Sequence, residues 1–210
     1  MSPSPPSPRV FRILLWVAIG LGALVSLSAA QESAVAMSVE GLSPKEVSLG
    51  PLAGVLSLSK EQLAALRAQE RATLSAIESM AVPRAVVLGF LAASTLVVFV
   101  TALQIRWSPE TPPASLARRM GTVAIASAIL RTLDGAQQLV IVRRAAEANG
   151  RALLGSGTPD IETAIGVTRA LVSVVSVGWT ALIVGLFVVL GTYFRSPKVL
   201  GVFAPDSDRD

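Results

Sequence analysis

Long apolar runs alternate along the chain with short polar intervals, except for one long mixed interval after the first run. Arg9 and Arg12 precede an apolar run from Ile13 that ends in Ser28-Ala29-Ala30. Eighteen residues lie between Ile13 and Ala30, close to the roughly 17–25 that cross a hydrocarbon core. The same order of charges, apolar run and small residues also fits a signal peptide cut after Ala30, so residues 9–30 read as a first span or a signal peptide, with the retained anchor preferred. Residues 84–107 form the clearest span, uncharged from Ala85 to Ile105 and flanked by Pro83, Arg84, Arg106 and Trp107. A third span is expected over 118–144 and a fourth over 168–194, where Tyr193 and Phe194 mark an interface.

The intervals are polar or turn-forming. Residues 1–8 alternate serine and proline and predict a disordered tail. Residues 31–83 carry too many charges to cross a membrane. Within them, Ser59 and Gln62 have capping-box spacing. Leu63, Leu66, Leu74, Ile77 and Met80 then recur at helical spacing, which predicts an amphipathic helix over 60–81. Ser108 to Pro113 is a short stiff connector, Thr158-Pro159-Asp160 has a helix-start order, and 195–210 reads as a polar tail. The expected fold is an all-α integral membrane protein, a four-helix transmembrane bundle with an extramembrane helical first loop.

Composition strengthens the membrane assignment. Hydrophobic residues make up 52% of the 210 and charged residues 15%, against about a quarter charged in soluble domains. The net charge of +4 is spread beside the apolar runs, so no nucleic-acid partner is expected. The chain has neither histidine nor cysteine, which removes the usual general base, thiolate chemistry and most transition-metal ligands. Neither a serine–lysine pair nor a second intramembrane acid replaces them. No enzyme activity, cofactor or metal is expected.

The third span is the unusual one. At about 100° per residue, Ser127, Arg131, Asp134 and Gln138 fall within an arc of roughly 60° on one helix face. Arg131 and Asp134 stand near the middle of the segment, three residues apart, where they can pair within the helix. Each charge costs about 2.5–3.5 kcal/mol at the centre of an isolated span, against about 0.3–0.6 kcal/mol gained per good apolar residue. This stripe should therefore face protein or water, and it is the candidate polar site. One reading is an ion or proton path in which Asp134 titrates; the simpler reading is an ion pair that fixes helix rotation.

Small residues suggest packing faces at Ala18, Gly22 and Ser26 and at Gly178, Ala181 and Gly185. These faces and the first loop are the surfaces expected to meet other helices of the chain or a membrane partner, beyond the lipid bilayer itself. With cytoplasmic termini, Arg9, Arg12, Arg106, Arg118, Arg119, Arg195, Lys198 and Arg209 lie inside. Arg84, Arg143, Arg144, Arg151 and Arg169 then lie outside. That bias predicts a bacterial inner (cell) membrane protein with both termini cytoplasmic. The function expected is that of a non-enzymatic partner, assembly or sensory subunit, with a small ion- or proton-coupled transporter or channel as the alternative.

Overall fold

A computed structural model describes residues 7–39, 75, 78–108, 114–154 and 159–203. Every element among them is helical: α1 Pro8–Val39, α2 Ala81–Trp107, α3 Ala114–Leu154, α4 Pro159–Phe194 and the short α5 Pro197–Phe203. Four of them contain stretches long and apolar enough to cross a membrane, Pro8–Ser38, Ala81–Trp107, Ala114–Arg144 and Ser173–Phe194. The chain is an all-α membrane bundle. Helices suit this environment because each satisfies its own backbone hydrogen bonds where no water is present to do so.

Several helices run further than the apolar pattern alone suggests. α1 continues through Gln31–Val39 because nothing in that stretch is proline or glycine, and Glu32 and Ser33 find partners on α2 while Ser38 bonds back to the Val35 carbonyl. A cleavable leader gains no support, since Ala29 is buried in the core and Ala30 lies in mid-helix. Residues 197–203, within the stretch read as a polar tail, form α5, whose Val199 is buried against the core. The amphipathic helix expected over 60–81 lies almost wholly outside the described residues, as do the tail 1–6 and the connectors around Pro112 and Gly157.

The chain divides into two compact units, one comprising Met1–Gln31, Val87–Leu133 and Thr180–Asp210, the other Glu32–Val86 and Asp134–Trp179. In the first, each helix gives the core one face at three- and four-residue spacing. α1 contributes Leu15, Ala18 and Val25, α2 Leu88, Leu91 and Val98, α3 Ala117, Met120 and Ala124, and α4 Phe187, Leu190 and Phe194. Phe11 meets Phe194 edge-on at 5.8 Å between ring centroids, so α1 begins where α4 finishes. The opposite faces carry exposed Ile13, Trp16, Leu24, Phe90, Leu96 and Ile129, a surface suited to acyl chains.

Close approach of α1 and α2 depends on Gly22. A Cβ there would stand 2.9 Å from the Phe99 nitrogen and 3.0 Å from the Thr95 carbonyl oxygen. One turn on, Ser26 donates to the Ala92 carbonyl at 3.1 Å. The Ala18, Gly22 and Ser26 face is thus filled by α2 of the same chain. α3 and α4 approach through Gly121 and Gly191, where a Cβ on Gly121 would stand 2.9 Å from the Gly191 oxygen. Gly178 and Gly185 behave differently: nothing lies within 4 Å of a Cβ at either, and Ala181 is exposed. The second small-residue face packs on no described part of the chain, which corrects the expectation that it joins helices within the bundle.

A matched pair on α1 tests this packing. Gly22→Ala should destabilise the protein by about 1–3 kcal/mol, since overpacking against backbone forces the helices apart. Gly20→Ala, with nothing within 4 Å, should be neutral or slightly stabilising. Denaturant unfolding in detergent measures both, and equal effects would contradict the close α1–α2 contact.

Candidate functional site

The charged site is built where α1 ends, α2 begins and α3 passes its midpoint. On α1, Glu32 and Ser33 follow the apolar run, and the Ser33 hydroxyl donates to the Ala85 carbonyl at 3.2 Å. That bond sets α1 against the first turn of α2, and brings Arg84 alongside Glu32. Pro83 falls within this first turn, where its missing N–H costs nothing. Arg84 Nη2 donates to Glu32 Oε2 at 2.6 Å, and Arg84 Nε stands 3.7 Å from Asp134 Oδ1. The second distance is that of an ion pair rather than a direct hydrogen bond.

The three side chains differ in exposure, and that decides which matters. Asp134 is 3% exposed, Arg84 16% and Glu32 46%. A guanidinium presents several N–H groups in a planar fork, so one arginine can face two carboxylates at once. Pairing at the half-exposed Glu32 is worth little, about 0–1 kcal/mol. Asp134 is a buried carboxylate, for which a neighbouring cation is the difference between tolerable and prohibitive burial.

Depth follows from helix geometry. Arg84 and Arg106 are 22 residues apart on α2, about 33 Å at 1.5 Å per residue, so they mark the two boundaries of an apolar stretch as long as the hydrocarbon core is thick. The arginine side chain near the start of α2 leans toward that boundary. Asp134 pairs with it and so lies level with the first turn of α2, ten residues before Arg144 closes the third apolar stretch. α3 itself continues to Leu154, ten residues past Arg144, where its membrane-length stretch ends.

The four residues of the predicted stripe differ in burial. Ser127 is fully buried but belongs to α2–α3 packing: its hydroxyl meets Ser94 Oγ at 3.0 Å and the Val123 carbonyl at 2.9 Å. Arg131, one turn further on, is half-buried. Asp134 joins the Arg84 and Glu32 cluster. Gln138 is half-buried one turn past Asp134, and its Oε1 and that of Gln137 are buried with no hydrogen-bond partner among the described residues. Further along α3, Arg144 donates to Ser79 Oγ at 2.9 Å, a second polar tie to the chain preceding α2.

Glu32 and Arg84 escaped the sequence reading as site residues. Arg84 looks like an ordinary flanking charge, and Glu32 lies in the interval assigned to the first loop. The available signal was their antiparallel register, since the end of one span and the start of the next lie on one side of the membrane. No family model, curated protein or solved structure matches the chain.

The chemistry open to this cluster is electrostatic. It can fasten three helices through one guanidinium. Replacing Arg84 by methionine should destabilise the protein by about 1–3 kcal/mol, the cost of leaving a buried polar group poorly satisfied. Glu32→Gln should cost less than about 1 kcal/mol because its carboxylate is half in solvent. Unfolding of both variants and the double variant in detergent checks this, and a larger effect at Glu32 than at Arg84 would contradict the order of burial.

Proposed function

We propose that the chain is a non-enzymatic membrane subunit that works by associating with another membrane protein, in a bacterial inner membrane with both termini cytoplasmic. The observation that carries this reading is where the polar groups lie. The charged cluster gathers toward the boundary marked by Arg84. The middle of the first unit is closed by apolar side chains and by hydroxyls bonded to backbone or to one another, as at Thr95, Ser26 and Ser127. No row of titratable groups connects the two boundaries among the described residues. An association role also suits the outward face of α4, where Gly178 and Gly185 have open space and Val174, Trp179 and Leu182 are exposed.

A small ion- or proton-coupled transporter is the second reading. It is favoured by the burial of Asp134 together with the unpartnered amide oxygens of Gln137 and Gln138 one turn away. Such a grouping resembles the ionisable sites that line substrate paths.

Two experiments separate the readings. In the first, Gly178 and Gly185 are both changed to isoleucine. Because a Cβ at either meets nothing within 4 Å, monomer stability should stay within about 0.5 kcal/mol, while a partner that co-purifies in mild detergent should be lost on native mass spectrometry. In the second, wild type and Asp134→Asn are reconstituted in liposomes. The partner reading expects both to conduct no ions or protons beyond empty liposomes, with the variant less stable. A wild-type flux abolished in a stably folded Asp134→Asn variant would sink it in favour of transport.

A further inference from the structure

The described residues of the first unit are electrostatically one-sided. Its described residues include no aspartate or glutamate. They include Arg9, Arg12, Arg118, Arg119, Arg195 and Lys198, all exposed and none paired with a carboxylate among the described residues. Arg106, also exposed, lies over the Trp16 ring at 5.9 Å. The second unit, by contrast, mixes signs, with Glu32 and Asp134 about Arg84.

Contacts within the unit gather these cations at one membrane boundary. Phe11 against Phe194 joins the start of α1 to the finish of α4. The Arg195 Cγ lies over Gly121, where an added Cβ would come within 2.5 Å of it. Arg118 precedes Gly121 by one turn on that helix face. Burial of Val199 holds α5 against the core, which places exposed Lys198 at the same level.

Helix electrostatics accounts for Arg106 in the last turn of α2 and Arg195 just past α4, but not for the cations at the helix starts. Arg9, Arg12, Arg118 and Arg119 stand in the first two turns of α1 and α3, and neither helix has an acid in its first turn. A cation gains nothing from the dipole at a helix start. Like charges crowded at the edge of a low-dielectric slab repel, and they call for an anion held at that depth. Phospholipid phosphate lies at that depth, anchored there by its acyl chains.

We propose that this boundary binds anionic phospholipid headgroups selectively, with Arg118, Arg119 and Arg195 at the centre of the surface. Each cation near an anionic surface is worth about 1 kcal/mol, and the apolar flanks formed by Trp16 and Ile13 receive the chains. The inference is independent of the partner reading above, because it concerns lipid headgroups at one boundary and not the exposed face of α4.

The test uses the full chain in nanodiscs of equal phosphatidylcholine and phosphatidylglycerol, with retained lipids identified by native mass spectrometry after release. Wild type should keep phosphatidylglycerol in preference, and Arg118→Gln/Arg119→Gln/Arg195→Gln should reduce that preference by about tenfold or more. The lysine triple, R118K/R119K/R195K, preserves charge and insertion and should retain most of it. Should the glutamine triple fail to fold, the wild-type preference itself must fade between about 0.01 and about 1 M salt as screening sets in. Inorganic phosphate should not displace the lipid. No preference in wild type, an unchanged preference in the folded glutamine triple, salt independence, or displacement by phosphate would each overturn the proposal.

Discussion

A carboxylate removed from water must find a cation, and in this protein that requirement ties three helices together. Asp134 is almost fully buried, and Arg84 supplies the guanidinium beside it while also binding Glu32. The consequences reach beyond the three residues. α1 must remain helical past its apolar run to present Glu32, α2 must begin with its arginine facing both neighbours, and α3 must be rotated so that Asp134 points inward. The Ser33 bond to Ala85 and the Arg144 bond to Ser79 reinforce the same alignment with neutral and charge-assisted hydrogen bonds.

Elsewhere the fold relies on contact rather than charge. Lipid tails are as apolar as leucine, so helices in a membrane gain little from hiding apolar surface and associate through close packing and a few hydrogen bonds. Gly22 against α2 and Gly121 against Gly191 provide that closeness, while Ser26 and Ser127 add bonds between helices. Between 22 and 33% of each span's most apolar stretch is buried within the chain, so lipid or another protein must cover the greater part.

The spans themselves were legible in the sequence, because about 20 consecutive apolar residues are a physical requirement of the bilayer. So was the burial of Asp134, since facing that carboxylate to lipid would be prohibitive. Its depth and its partner were not. Both depend on the register between helices, and register is fixed by contacts such as Ser33 with Ala85 that link residues 52 apart in the chain. The small-residue faces show the same limit: Gly22 and Gly178 occur in similar local patterns, yet one meets a neighbouring backbone and the other meets nothing.

The central claim is that Asp134 and Arg84 stand near one membrane boundary. The chain has no native cysteine, so single-cysteine spin labels report position cleanly. Labels at Ala136→Cys beside the cluster, Val82→Cys at the start of α2 and Leu96→Cys halfway along α2 occupy exposed sites. Collision with lipid-soluble oxygen and a water-soluble relaxant, measured by electron paramagnetic resonance in liposomes, gives the depth of each. The account predicts that Ala136 is as shallow as Val82 and clearly shallower than Leu96. A depth at Ala136 equal to that of Leu96 would return the charge cluster to mid-bilayer and contradict it.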